Sequence, residues 1–114
     1  MIIEKTILRY LKNKITGIGT KVYFEVPKNP PAEYILLEKT GGGRENHICK
    51  AMFAVQSIGE SLQRAAEINA EVIDAMCAMP DTTEVYSCKL NSDYNYTDTA
   101  TKEYRYQAVF NIYY

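Results

Sequence analysis

The stretch that decides the fold is Ser57–Met79, SIGESLQRAAEINAEVIDAMCAM, which carries the clearest helical pattern in the chain. Its polar side chains recur at steps of three and four and form one stripe: Glu60, Gln63, Arg64, Glu67, Glu71 and Asp74. The apolar side chains fall largely on the opposite side: Leu62, Ala65, Ala66, Val72, Ile73, Met76 and Met79. This period predicts an amphipathic helix, and the alanines allow its axis to come close to a flat sheet.

Both ends of this helix carry boundary signals. Ser57 is followed three residues later by Glu60, which is the spacing of a capping box and predicts a start at Ser57. Pro80 predicts an end at Met79, because proline disfavours helical geometry in the residue before it.

A shorter helix is predicted for residues 1–14, followed by a glycine-containing loop over Asn13–Gly19. The apolar side of the helix consists of Ile3, Ile7, Leu8 and Leu11, and the charged side consists of Glu4, Lys5, Arg9 and Lys12.

Five segments have the composition or the alternation of strands: Lys21–Val26, Glu33–Thr40, Ile48–Gln56, Thr83–Leu90 and Lys102–Tyr114. Glu33–Thr40 has a continuous apolar centre and is expected to be buried on both faces. Ile48–Gln56 is expected to bury one face, formed by Cys49, Ala51, Phe53 and Val55. Tyr86, Cys88 and Leu90 are expected to face together.

Three connections separate these strands. Pro27–Pro31 predicts a stiff turn or a loop that protects a sheet edge, because proline does not fit the interior of a sheet. Gly41–Asn46 predicts a flexible loop, and Asn91–Thr101 predicts a polar excursion.

The element order α-β-β-β-α-β-β predicts an α+β fold, with two helices packed on a mixed, mostly antiparallel sheet of four to five strands. With 114 residues and no evident linker, the chain is expected to form a single domain over residues 1–114.

Composition and charge restrict the function classes. A net charge of −1 and a pI near 5.8 argue against a general nucleic-acid binder. No apolar run is long enough for a membrane span, and the mixed charges of residues 1–14 are unlike a secretory signal. The chain is therefore expected to act in the cytoplasm. The three cysteines form no CxxC pair and are interpreted as reduced thiols.

No catalytic, metal or cofactor site is predicted, and the protein is not expected to be an enzyme. The single histidine, His47, lies beside the glycine run, and that run lacks the lysine and helix of a phosphate-binding loop. Asp93 and Asp98 lack the glycine and glutamate of a calcium loop. A small hydrolase or a ligand-binding domain that uses Cys49 or His47 stays open as an alternative.

Tyrosine is the most unusual feature of the composition, at 10 residues against 3 phenylalanines and no tryptophan, with most tyrosines after residue 85. Tyrosines on alternating strand positions are typical of a half-buried sheet surface. They are also enriched at protein interfaces. Together with the missing catalytic motifs, this composition favours a protein that acts by assembling with other proteins.

Two segments resemble the tail terminator, or tail completion, proteins of long-tailed bacteriophages and prophages. The first is VYFEVPKNPPAEYILLEKTGGG at 22–43, a strand that ends in a proline turn and leads to a glycine-terminated strand. The second is NSDYNYTDTATKEYRYQAVFNIYY at 91–114, whose core Arg105-Tyr106-Gln107 matches the RYq pattern of that family. With the alanine-lined helix between them, the resemblance extends over most of residues 21–114.

The resemblance implies a small fold of helices on a largely antiparallel sheet and a structural role without cofactor. Such proteins form a hexameric ring on the completed tail tube, which stops polymerisation and presents a surface to the head-tail connector. The implied partners are the tail tube protein, connector proteins and further copies of the chain, with a monomer possible when it is free. The implied location is the cytoplasm of the bacterial host and then the virion tail.

The partner contacts are predicted in two loops, Gly41–Asn46 and Asn91–Thr101, with Arg44, Tyr94 and Tyr96 as candidate interface residues. The neighbouring alternative is another neck component, such as a head closure or head-tail joining protein.

Overall fold

Two helices cover one face of a five-stranded sheet in the computed structural model, which describes residues 2–15 and 21–114. The elements are α1 (Ile3–Lys14), β1 (Val22–Tyr23), β2 (Tyr34–Glu45), β3 (Ile48–Gly59), α2 (Leu62–Ala78), β4 (Ser87–Asn95) and β5 (Tyr104–Tyr113). Their order confirms the predicted α-β-β-β-α-β-β arrangement and the α+β class.

The strands lie in the order β1-β2-β3-β5-β4. β1 pairs with β2 in parallel, and the other three pairs are antiparallel. β3 and β5 therefore occupy the centre, whereas β4 forms one edge and the short β1 lies at the other.

The core lies between the helices and one face of the sheet. Phe53 of β3 and Phe110 of β5 are cross-strand partners at its centre, and both are fully buried. The predicted alternation is confirmed in both strands: Ala51, Val55, Ala108 and Ile112 point to the same side and are also buried. We call this side the helix-bearing face.

Polar contacts also fix the helices. The Tyr10 hydroxyl of α1 donates to the Ala75 carbonyl oxygen of α2 at 2.6 Å. The buried Asn69 amide of α2 donates through Nδ2 to Asp93 Oδ1 of β4 at 2.6 Å, which ties α2 to the edge strand.

The predicted start of the central helix is wrong. Ser57 lies within β3, where it is fully buried and pairs with Ile35 and Tyr106. Strand pairing on both sides outweighs the local capping signal. The helix begins at Leu62 after the N-cap residue Ser61, whose Oγ accepts from the Arg64 N–H at 3.1 Å.

The predicted faces of α2 need two corrections. Ile68 and Asn69 belong to its buried side, whereas Leu62 is exposed near the N-terminus. Its α-helical geometry ends at Ala78, one residue before the predicted end. Met79 keeps helical angles in a short 3-10 turn, Met79–Asp81, which contains Pro80.

The Ser61→Ala variant is expected to lower the free energy of unfolding by about 1 kcal/mol, because it removes the N-cap acceptor of α2. Glu60→Ala is the matched control and is expected to stay within about 0.5 kcal/mol of the parent protein, since Glu60 is exposed. Urea unfolding followed by circular dichroism measures both values. An equal loss in the two variants would contradict the assigned cap.

The prediction of a flexible loop over Gly41–Asn46, between the second and third strands, is also wrong. β2 continues to Glu45 and includes Gly41, Gly42 and Gly43, which pair with β3. Only Asn46 and His47 form the turn, with left-handed φ angles of 50° and 65°. A two-residue turn with positive φ at both positions matches the twist of a β-hairpin.

The remaining strand boundaries differ from the prediction at one or both ends. β1 has only two residues because the chain bends after Tyr23, so the interpretation of Lys21–Val26 is too long. Pro27–Pro31 forms the predicted connection. The loop predicted over Asn13–Gly19 begins inside α1, and its residues 16–19 lie outside the described ones.

β4 is shifted along the sequence relative to its prediction. It starts at Ser87, because Thr83 is still tied to the Met79 carbonyl oxygen by its amide and its hydroxyl. It then continues to Asn95, so half of the predicted excursion Asn91–Thr101 is strand. Tyr86 precedes it and is 73% exposed, whereas Cys88 is buried and Leu90 is partly exposed on the helix-bearing face.

Candidate assembly surface

The sheet face opposite the helices forms a broad, mostly polar surface, which we call the open face. Cross-strand pairing places alternate residues of the four long strands on it. Its exposed and half-buried side chains include Lys50, Met52, Gln56, Lys89, Tyr94, Arg105, Gln107, Asn111 and Tyr113. None of these side chains is covered by α1 or α2.

Tyr94 and Tyr96, two of the predicted interface residues, lie together at one end of the open face. Their ring centroids are 5.9 Å apart at an interplanar angle of 80°, which is an edge-to-face arrangement. The two side chains are 40% and 44% exposed. Tyr94 is held by the pairing of β4 with β5, and Tyr96, the residue after β4, donates its N–H to the Arg105 carbonyl oxygen at 2.9 Å. The choice of Tyr94 as a loop residue is therefore wrong.

Two β5 side chains fix this tyrosine pair. The Arg105 guanidinium lies 4.9 Å from the Tyr96 ring centroid, and its Nε donates to the Tyr96 carbonyl oxygen at 2.8 Å. Gln107 Nε2 donates to the Tyr94 hydroxyl. These four residues form what we call the tyrosine cluster, an ordered group of aromatic rings and one arginine. Aromatic residues and arginine are the types that protein interfaces enrich.

Arg44, the third predicted interface residue, lies far from this cluster. It pairs with Cys49 near the β2–β3 turn, whereas Tyr94 lies level with Gln56 across β5. The separation along β3 is about 20 Å at the rise of a strand. The Arg44 side chain is exposed and cationic, and the neighbouring Cys49 side chain raises the pKa of its guanidinium further. The structure therefore brings two of the three candidate residues together, but not the third.

The sequence interpretation missed the sheet edges. β1 pairs with β2 only at Ile35 and Leu36, so Leu37–Glu45 has no strand on its outer side among the described residues. β4 pairs on one side only and is exposed over most of its length. The signal for the first edge was hidden because glycines indicate turns more often than strands.

Two concave regions lie on or beside these strands. A groove of about 480 Å³ includes Thr40, Lys50, Met52, Asn111 and Tyr113 in its lining. A second pocket of about 370 Å³ lies at the β2 edge and is lined by Glu4, Phe24, Leu37, Glu38 and Lys39.

Chemistry-bearing residues are dispersed in the described part of the chain. No group of three or more His, Cys, Asp or Glu residues in residues 2–15 and 21–114 is placed to hold a metal ion. His47 lies in the exposed hairpin turn, and Cys49 is half-buried two residues later. No helix among the described residues is long and apolar enough to cross a membrane.

Comparison with known proteins gives a similarity of fold. No family model matches the sequence, and no curated protein matches it. Among solved structures, a chain in the virion of a native gene transfer agent (GTA) particle is similar, with a TM-score of 0.63. The two chains are 19% identical, and the match covers 83% of this chain and 78% of that one. At this identity the likeness establishes a shared fold.

Proposed function

We propose that this protein is a structural component of a virion, and specifically that it caps a completed phage tail tube as a ring. The observation that carries the proposal is the fold shared with a chain of a virion, over 83% of the present chain. The resemblance of the strand and turn segments at 22–43 and 91–114 to tail terminators supports the finer assignment.

The surface of the protein is consistent with an assembly role. A ring subunit has to offer different surfaces to its two neighbours, to the tube and to the connector. The two free edges lie on opposite sides of the sheet, and the open face, with the tyrosine cluster at one end, lies between them. The polar stripe of α2, which includes Glu67 and Glu71, is exposed and is assigned to solvent or to a polar contact.

The proposal is tested by deleting the gene from its phage or prophage and measuring tail lengths by electron microscopy. If the protein ends tube polymerisation, its loss should give headless tubes of uncontrolled length, and expression in trans should restore normal tails. Headless tails of normal length would instead identify a head closure or head-tail joining protein.

A second measurement is the mass of the purified protein, alone and with its tail tube protein. A sixfold species, free or on tube ends, supports the ring. Failure of the chain to bind tubes in any oligomeric state contradicts it.

The proposal assigns no catalytic role to the chain. Cys49→Ala and His47→Ala variants are therefore expected to support tail assembly at the level of the parent protein. Loss of tail assembly in a variant that remains folded would revive the hydrolase or ligand-binding alternative.

Replacing Tyr94 and Tyr96 together by serine is expected to weaken ring or tube binding at least tenfold while the fold persists. The change removes two rings that are 40% and 44% exposed, and truncation of an aromatic hot spot at an interface costs about 2 kcal/mol or more. The double phenylalanine variant is the matched control, since it keeps the rings and loses only the hydroxyls. Normal tube binding by the serine variant would exclude the cluster from the interface.

A further inference from the structure

The outer side of β2 presents free backbone groups whose direction can be assigned. Cys49 donates to and accepts from Tyr114, with both N–O distances at 2.8 Å, so its backbone polar groups point towards the β5 side. In an antiparallel ladder, its partner Arg44 on the other side then directs its N–H and C=O away from β3. The N–H and C=O of Gly42 also point away from β3, because backbone groups two residues apart in a strand point to the same side. Both amides therefore lie on an edge without a partner strand among the described residues.

The outer side of β4 has the same property. The Tyr96 N–H donates to the Arg105 carbonyl oxygen at 2.9 Å, so Tyr96 faces β5. Alternation turns the amides of Asn95 and Asp93 outwards. β4 contains no proline and no described segment pairs with its outer side, although it carries Lys89 and an irregularity between Leu90 and Ser92.

The topology makes these two edges compatible in copies of the same chain. β2, β3, β5 and β4 are successive antiparallel neighbours, so β4 runs opposite to β2. When two copies stand side by side in the same orientation, β4 of one meets β2 of the next as an antiparallel pair. The helices of both copies then lie on the same side of one continuous sheet.

Side chains at the two edges match in the same arrangement. Leu90 of β4 pairs with Phe110 and so faces the helix-bearing side, where it is 41% exposed at the edge. At the other edge, the pocket of about 370 Å³ is lined by Leu37 of β2 and by Phe24, which is 45% exposed. Leu90 at one edge thus lies on the same face as Leu37 at the other, beside a pocket whose lining also includes Glu4, Glu38 and Lys39.

We propose that β4 of one copy adds to the free Leu37–Glu45 edge of β2 in the next copy, which makes a sheet that is continuous between subunits. Strand addition of this kind uses main-chain hydrogen bonds for affinity and side-chain pockets for register. The interface is heterologous, so repetition produces a closed ring when the rotation between copies closes. The inference rests on the proposed ring for its setting and names the contact that builds it.

Amide hydrogen exchange on the full chain, free and assembled on tail tubes, tests this contact. Copies at the same height place Cys88 opposite Gly42 and Asp93 opposite Leu37. The outward amides of Gly42 and Asp93 are therefore expected to exchange at least about 100-fold more slowly in the assembly. The Cys49 and Tyr96 amides, which are bonded within one subunit, serve as internal controls and should change much less.

Two variants at Gly42 provide a second test of the strand addition. Gly42→Pro removes an outward N–H and is expected to abolish ring formation, whereas Gly42→Ala keeps that N–H and should assemble. The alanine Cβ would meet the flexible end of Lys39, with Cε at 3.0 Å, and would lie at an ordinary contact distance of 3.5 Å from the Lys50 carbonyl oxygen. Circular dichroism and the melting temperature establish that the proline variant is folded, and the exchange measurement does not depend on it.

The outcomes separate this inference from the proposed function. Rings in which the outward amides of Gly42 and Asp93 remain unprotected would overturn the strand addition and leave the capping role intact. A twofold dimer protected only along β4 would also overturn it, in favour of β4–β4 pairing. Absence of any assembly, free or on tubes, would overturn both.

Discussion

The Gly59→Ala variant is expected to lose about 3 kcal/mol of unfolding free energy, although it adds a single methyl group. A Cβ at Gly59 would lie 2.5 Å from the Ala65 backbone nitrogen and 3.0 Å from the Ala65 Cα. These are backbone atoms in the first turn of α2, so no side-chain rotation relieves the contact. The helix has to move away from β3, which opens the core beneath it.

The sign of this effect is decided by the steric contact. Gly59 does not have a left-handed φ, and alanine at such a position normally stabilises a protein by about 0.4–1 kcal/mol through the unfolded chain. Gly41→Ala is the matched control, because its nearest atom would be Met52 Cβ at 3.9 Å, an ordinary contact. It is expected to be neutral or slightly stabilising.

Thermal unfolding by calorimetry or circular dichroism checks the pair. Gly59→Ala should melt roughly 10 °C below the parent protein, from the usual entropy of unfolding of a domain of this size. If both glycine variants had the melting temperature of the parent protein, the close packing assigned to β3 and α2 would be wrong.

The fold was largely predictable because its core follows simple periods. Phe53 and Phe110 stand in segments with a clear period of two, and Ile7 and Leu11 stand in one with a helical period. The errors occurred where pairing between distant segments overrides a local signal. The run Gly41–Gly43 is typical of a loop by itself, but a partner strand is available at Ala51 and Met52 and makes it part of β2.

Ser57 shows the same limit. Its spacing to Glu60 satisfies the local capping pattern, yet β2 and β5 both supply hydrogen-bonding partners that extend β3 to Gly59. The capping serine is instead Ser61, which also lies just before the helical period begins.

The candidate site was predictable in its residue types but not in its geometry. Tyr94 and Tyr96 could be selected because they are aromatic residues in a polar segment that was predicted as a partner-binding loop. Their contacts with Arg105 and Gln107 depend on the register of β4 with β5, which an irregularity between Leu90 and Ser92 shifts. No sequence pattern determines that register, and none places Arg44 about 20 Å away along the sheet.

Cys88 is expected to make the protein unusually sensitive to alkaline pH. Its side chain faces the core from β4 beside Ile112 and is buried. Burial raises the pKa of the Cys88 thiol from its ordinary value of 9.0 to about 12, and the charge of the nearby Cys77 is a smaller cause of the same sign. The thiol therefore stays protonated in the folded protein at a pH where it ionises in the unfolded chain.

The sign of the pH dependence follows from this difference. Between pH 9 and about 12 the unfolded state binds fewer protons, so the free energy of unfolding falls as pH rises. The slope approaches about 1.4 kcal/mol per pH unit, and the full loss is about 4 kcal/mol. Below pH 9 this contribution is fully present. Burial also raises the pKa of Tyr10 and Tyr34, which adds a loss of the same sign above pH 10.

Urea unfolding at several pH values from 7.5 to 11.5, under reducing conditions, measures this slope. Cys88→Ala should be somewhat less stable at neutral pH because it leaves a small cavity, but its stability should fall less steeply above pH 9. Cys77→Ala is the control, since Cys77 is exposed. The free energy of unfolding of this variant should keep most of its dependence on pH above pH 9. Parallel curves for the parent protein and Cys88→Ala would show that the alkaline loss has another source. A difference in slope would establish that the buried Cys88 thiol stays protonated in the folded protein above pH 9.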